Sequence, residues 1–409
     1  MYFLDYIPNF HIVFLDYKKN CIFAAVILKR FIMITRVLQS VIEQKLYKGK
    51  IIVLLGARQV GKSTLFEQLR ESVFAKMSVV LLNCDEPNDR ALLTDANSSD
   101  LSMVVKGKRI VLIDEAQRVQ NIGLTLKLLA DKFKDIQVLV SGSSSLELAN
   151  KLNEPLTGRK FEYLMQPIST EELINAKGLL ETQRLLESRL IYGSYPDILF
   201  QKADTKELLI ELTNSYLFKD IYSLQGLRKP EILEKLLVAL ALQIGSEVSY
   251  NELSQIVQTD VKTVERYIDL LEKCFIIFKI NGLNRNVRNE LKKSKKIFFY
   301  DNGIRNALIQ SFSPLNLRND AGALWENFFI SERLKFNNYH SRFTKMYFWR
   351  TQLQQEIDLV EDREGKITAY EMKWSDNRKA SFPKSFIENY NPLQTNIITP
   401  KNYTEFLLP

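Results

Sequence analysis

The run Gly56-Ala57-Arg58-Gln59-Val60-Gly61-Lys62-Ser63, followed by Thr64, satisfies the phosphate-loop pattern G-x-x-x-x-G-K-[ST]. Its glycines let backbone amides curl around the β- and γ-phosphates, Lys62 bridges them, and Ser63 ligates Mg²⁺. That chemistry is nucleotide binding, with ATP and Mg²⁺ as the cofactors. Further on, Ile110-Val111-Leu112-Ile113-Asp114-Glu115 reads as an apolar strand ending in two carboxylates. There Asp114 reaches the Mg²⁺ shell, and Glu115 polarises the attacking water as general base. The strand Ile136 to Val140 ends in Ser141, which senses the γ-phosphate or holds the water, or else sits in an ordinary polar turn. In Leu156-Thr157-Gly158-Arg159, Arg159 is a candidate arginine finger for this chain or a neighbouring subunit, with a surface ion pair as the competing reading. A finger supplied by a neighbour requires an oligomer.

A second constellation lies near the end of the chain. Glu326 falls on a helical stretch from Ala321 to Phe336, Asp358 on a strand from Glu356 to Glu361, and Glu371 and Lys373 on a strand from Ile367 to Lys373. Residues two apart on a strand share a face, so Glu371 and Lys373 point the same way. The order Glu326, Asp358, Glu371, Lys373 resembles the PD-(D/E)xK nuclease core, with Ile357 in place of the proline. The resemblance implies carboxylates that hold Mg²⁺, a water activated against a phosphodiester, and a lysine that stabilises the developing charge. A nuclease-like fold does not by itself imply cleavage.

The elements that position these residues follow from the apolar pattern. Short apolar runs at Ile51 to Leu55, Val79 to Leu82, Ile110 to Ile113 and Val138 to Val140 alternate with helical stretches, the mark of a buried parallel sheet. The fold class is therefore α/β, and with the phosphate loop in place it resembles a P-loop NTPase with an AAA+/RecA-like parallel sheet. A helical, winged-helix-like region and a small α/β domain of restriction-endonuclease type follow it. The predicted boundaries are 33–166 for the ATPase domain, 167–300 for the helical region and 301–409 for the nuclease-like domain.

Within the helical region, Leu233, Leu236, Leu237 and Leu240 form one helical face, Gly245 ends it, and Ser249-x-x-Glu252 is a capping box. Asp260 to Lys273 then reads as a helix with Val261, Val264, Ile268 and Leu271 inward and Lys262 and Arg266 outward. Followed by the strand-like Phe275 to Ile280, this order resembles a winged helix-turn-helix with Asp260 to Lys273 as the recognition helix. Glu265, Asp269 and Glu272 on the same helix oppose phosphate binding, and an interdomain packing module is the competing reading. Where a wing would stand, residues 284–300 carry Arg285, Arg288, Lys292, Lys293, Lys295 and Lys296 against Glu290. These bases, with Lys262 and Arg266, are the candidate DNA contacts; a merely solvated face is the alternative.

Composition narrows the chemistry. Three Cys without CxxC spacing and two His exclude a zinc cluster and a His-based triad, so carboxylates, Lys, Arg, hydroxyls and a hard metal must do the work. The net charge of +8 is concentrated in the segment 284–300 and does not mark a generally basic protein. Residues 1–32 are rich in Phe, Tyr and Ile, but their longest apolar run, Cys21 to Leu28, is too short to span a membrane and is stopped by Lys29 and Arg30. Asp5 and Asp16 precede it and no cleavage site follows, so it is not a signal peptide either. This stretch is read as a non-native or disordered extension, with the working protein beginning near Met33 and residing in the cytoplasm.

The segments GARQVGKSTL, IVLIDEAQ, LVSGSSS and LTGR resemble the AAA-type ATPases of bacteria and archaea that carry a C-terminal domain of unknown function. YGSYPD (192–197), FKDI (218–221), FFYDNGIRNAL (298–308) and GALWEN (322–327) resemble that C-terminal region. The resemblance implies an AAA+-like ATPase with Walker A, Walker B and a sensor strand. The leading expectation is an ATPase coupled to a nuclease-like domain at DNA. Its rivals are an ATP-operated switch whose inactive C-terminal domain only binds a protein partner, and a DNA-binding regulator.

Overall fold

The apolar runs assemble into a five-stranded parallel sheet of order β2–β3–β4–β1–β5. Its strands are Ile51–Leu55 (β1), Val79–Asn83 (β2), Ile110–Asp114 (β3), Gln137–Gly142 (β4) and Lys160–Leu164 (β5). The computed structural model describes residues 34–143, 155–200, 204–217, 229–284, 295–375 and 381–409. The expectations for residues 1–32 and for the FKDI stretch therefore lie outside the described residues.

Both faces of this sheet are covered, which is why its central strands read as continuous apolar runs. Ile52, Leu54, Ile110, Leu112 and Leu139 pack into one core, and Ile51, Val53, Leu55, Val111 and Ile113 into another. Strand β5 has no continuous apolar run because it is an edge strand whose residues are partly buried or exposed. It pairs with β1 in parallel, Ile51 opposite Lys160 and Leu55 opposite Leu164.

Downstream, helices Pro230–Leu242, Tyr250–Ile256 and Val261–Lys273 follow one another. Ser249 accepts a hydrogen bond from the Glu252 amide, Asp260 accepts one from Thr263 at 2.8 Å, and Gly245 has φ +76°. The leucines that define the first helix face, Leu233, Leu236, Leu237 and Leu240, are buried.

The second sheet has six strands in the order β11–β10–β9–β8–β6–β7. They are Ile277–Gly282 (β6), Lys295–Phe299 (β7), Lys345–Arg350 (β8), Glu356–Arg363 (β9), Lys366–Met372 (β10) and Gln394–Ile398 (β11). This corrects the expected boundary at residue 300. The β6–β7 hairpin, which follows the three helices where a wing would stand, is also an edge of the C-terminal sheet, with Asn281 and Gly282 of β6 alongside Tyr347 and Phe348 of β8. Phe278, Ile280 and Phe298 lie in one core with Leu324, Trp325, Phe329 and Phe348, and that apolar face joins the hairpin to the sheet.

One long helix, Ala321–Tyr339, runs through this region, and most of its residues are buried, charged ones included. Asp320 anchors its start by accepting hydrogen bonds from Arg305 at 2.5 Å and from Arg318 at 2.8 and 2.9 Å. Burial alone would raise the Asp320 carboxyl, but the two guanidiniums outweigh it and hold it down at about 2. A depressed carboxyl stabilises the fold above its unfolded value, and that contribution disappears as pH falls through the folded value. Asp320→Asn is therefore expected to cost about 2 kcal/mol at neutral pH, shrinking below about pH 4 and vanishing near pH 2. Urea midpoints of both proteins across that range check this; a difference that stays constant with pH would refute it.

Candidate functional site

The phosphate loop leaves β1 at its C-terminal end and enters helix Lys62–Glu71. Gly56 is required there, since a Cβ would stand 2.3 Å from the Met165 carbonyl oxygen. Gly61 at φ +97° and Gln59 at φ +58° give the left-handed turns that curl the loop. Lys62 is buried, and its ammonium donates to the carbonyls of Gly56 and Ala57 at 2.9 Å each. Ser63 and Thr64 are exposed at the mouth.

The ends of β3 and β4 face the same crevice. Ser141 is fully buried and its hydroxyl donates to Asp114, while the Glu115 amide donates to Ser141 Oγ at 3.2 Å. Glu115 has φ +53°, so β3 breaks sharply at this residue. Gln117, which no motif marks, donates to Glu115 Oε2 at 2.5 Å and to Ser143 Oγ at 2.9 Å. Arg36 was likewise missed. Its buried guanidinium donates to Val60 O of the phosphate loop at 2.6 Å, to Gln166 O at 2.5 Å and to Glu172 Oε1 at 2.9 Å. The arrangement can surround a polyphosphate with amides, an ammonium and a hydroxyl, and present two carboxylates and a serine from neighbouring strands.

The structure also draws the second constellation together. Lys373 donates to Glu371 Oε2 at 2.7 Å, and the Met372 amide donates to Asp358 Oδ2 at 2.8 Å. Lys296 is only 1% exposed, and its ammonium lies 2.9 Å from Glu326 Oε1 and 2.5 Å from Glu356 Oε1. This corrects the assignment of Lys296 as a DNA contact: buried between carboxylates, its charge is already spent. Burial, with Asp358 and Glu356 nearby, raises the Glu326 carboxyl to about 8 against the pull of Lys296. Burial and Asp358 raise Glu371 to about 7 against Lys373. Burial also raises Asp358. Among the described residues, no three potential ligands stand at metal-binding spacing. With Glu326 and Glu371 raised to or past neutrality, the four carboxylates barely exceed the two ammoniums in charge, so a divalent cation would have to displace protons to bind here.

Comparison with known proteins bears on the first site. Residues 48–174 match the model described as an AAA domain. Over these residues the chain is similar to AAA-type P-loop domains. Residues 183–317 and 321–405 match two domains of unknown function, DUF8612 and DUF4143. An uncharacterized protein of Haemophilus influenzae is 28% identical over 276 residues, covering 62% of this chain and 68% of its own. One of Mycobacterium tuberculosis is 25% identical over 342 residues, covering 81% and 72%. Among solved structures, a Walker-type ATPase of Pyrococcus abyssi aligns with TM-score 0.48 and 16% identity over 68% of this chain and 96% of its own.

Within the matched residues, Arg159 is misplaced for a finger acting in its own site. Its carbonyl accepts from the Ile51 amide at the start of β1, whereas the phosphate loop leaves the other end of that strand, about 16 Å away. Its side chain pairs with Asp131 at 2.7 Å on the surface. Lys262 and Arg266 are exposed on helix Val261–Lys273, and Lys295 lies over the Tyr250 ring at 5.0 Å. Arg285, Arg288, Lys292 and Lys293 lie outside the described residues.

Proposed function

We propose that this chain is a cytoplasmic, Mg²⁺-dependent ATPase coupled to a nuclease-like C-terminal domain that acts on or near DNA. The observation that carries the ATPase reading is the convergence of Lys62 and Ser63 with Asp114, Glu115 and Ser141 at adjacent ends of β1, β3 and β4. Mg²⁺ would be held by Ser63 and Asp114 and would offset charge on the phosphates. Glu115, oriented by Gln117, takes the proton of the attacking water. Ser141 fixes the Asp114 carboxylate, and Lys62 leaves the loop carbonyls for the phosphates. Among the described residues no helix is long and apolar enough to cross a membrane.

The C-terminal reading is supported by Glu326, Asp358, Glu371 and Lys373 meeting at one end of the long helix and of β9 and β10. Mg²⁺ would be held there by Asp358 and Glu371. The three helices followed by the β6–β7 hairpin support a winged-helix-like module. Its exposed Lys262 and Arg266 are the DNA contacts in this reading. A second reading, an ATP-operated switch whose C-terminal domain only binds a partner, is favoured by one observation: Lys296 already occupies Glu326 and Glu356.

Incubation of DNA with the chain and Mg²⁺ or Mn²⁺, with and without ATP, separates the two. Metal-dependent cleavage by the parent, reduced at least about hundredfold in Glu371→Ala, is the expected result. Equal cleavage by both proteins, or none under any condition, would remove the nuclease reading and leave the switch.

A further inference from the structure

A cavity of about 390 Å³ opens at the far end of the C-terminal sheet, where Arg333, Arg342, Arg363 and Lys366 meet. Asp358 and Arg363 are five residues apart on β9, about 17 Å along an extended strand, so this cavity is separate from the acidic cluster. Two carboxylates, Glu361 and Glu364, also line it. Arg333 is taken up by Glu361, with Nε to Oε1 at 3.0 Å and Nη2 to Oε2 at 2.5 Å, and the Tyr370 hydroxyl donates to the same carboxylate at 3.1 Å. Four positive against two negative side chains leave the walls positive.

Among the described residues the remaining cations make no ion pair, although Glu364 lines the same cavity. Arg342 stacks on the Phe336 ring at 4.2 Å, and among the described residues its guanidinium makes no ion pair or side-chain hydrogen bond. Neither does Arg363, which stands opposite Lys366 in the register of β9 and β10. Like charges directly opposite on paired strands are destabilising, a cost that an anion between them would offset. Desolvation, then Arg333 and Arg363, lower the Arg342 pKa against the opposing pull of Glu361.

We propose that Arg342, Arg363 and Lys366 bind the phosphate group of a ligand in this cavity, with the Arg333–Glu361 pair as its rigid wall. Guanidiniums suit phosphate because their paired N–H groups meet two of its oxygens at once. The phosphate comes from a free anion or from the end of a nucleic-acid strand. The site does not depend on the ATPase or nuclease readings.

Calorimetric titration of the full chain carrying Lys62→Ala, which weakens phosphate binding at the phosphate loop, tests the idea with two probes. They are inorganic pyrophosphate and a 5′-phosphorylated single-stranded oligonucleotide. Binding of at least one probe is expected, weakened about tenfold or more when Arg342→Gln and Arg363→Gln are added. Neither guanidinium has an ion pair to lose, and Arg342 gives up only its stacking on Phe336, so the thermal midpoint should fall little. Tighter binding of the oligonucleotide assigns the phosphate to a strand, and equal or tighter binding of pyrophosphate assigns it to a free anion. Undiminished binding after the two substitutions, or no binding of either probe, would overturn the proposal.

Discussion

Glu115→Gln is expected to keep ATP bound and to slow its hydrolysis by roughly two to four orders of magnitude, the usual contribution of a positioned general base. The side chain sits just past β3 on a left-handed residue, with Gln117 holding one carboxylate oxygen. Glutamine keeps the shape and the hydrogen-bonding reach but cannot take a proton, so binding and chemistry should separate. Lys62→Ala is the contrasting variant. It removes the ammonium that the loop carbonyls hold at 2.9 Å, and nucleotide binding itself should fail. A fluorescent ATP analogue reports the first step and phosphate release the second. Turnover at the parent rate in Glu115→Gln would show that another group activates the water.

The phosphate loop was legible because its chemistry is contiguous: strand, glycines, lysine and helix follow in order, and backbone sterics leave the loop little choice. Asp114 and Ser141 were legible because parallel strands bring their C-terminal ends to one crevice. The same rule, applied to Arg159, would have placed it at the opposite end of the sheet, since it precedes β5. Lys296 shows where a sequence pattern stops. Within a run of bases nothing marks which lysine turns inward, and only the alternation of β7 puts Lys295 near the surface and Lys296 against Glu326 and Glu356. Glu356 was hidden for the same reason, since it gains a role only from a lysine 60 positions earlier in the chain. Arg36 makes its contacts across more than a hundred residues to Gln166 and Glu172, a separation no local pattern encodes. The partner of the β6–β7 hairpin was likewise invisible, because an apolar strand face specifies burial but not against what.

Glu332→Ala is expected to be the most damaging single change to stability, at about 3–5 kcal/mol. Glu332 is 2% exposed at the middle of the long helix and accepts hydrogen bonds from Lys335 at 2.6 Å, Arg189 at 3.2 Å and the Thr170 amide at 2.6 Å. Burial would raise its carboxyl, but Lys335 and Arg189 outweigh burial and hold it below the ordinary value. Alanine leaves two buried cations and one buried amide without their acceptor, and an uncompensated buried charge costs far more than the intact pair contributes. Arg189 keeps Ser194 and Thr170 as acceptors, so the helices should still assemble while the folded state becomes less stable. The urea midpoint should fall with an unchanged slope, as for a native state of the same compactness. Glu332→Gln retains an acceptor for Thr170 and should lose less. A loss under about 1 kcal/mol in Glu332→Ala would mean that water reaches Arg189 and Lys335. The network would then orient the helix without supporting the fold.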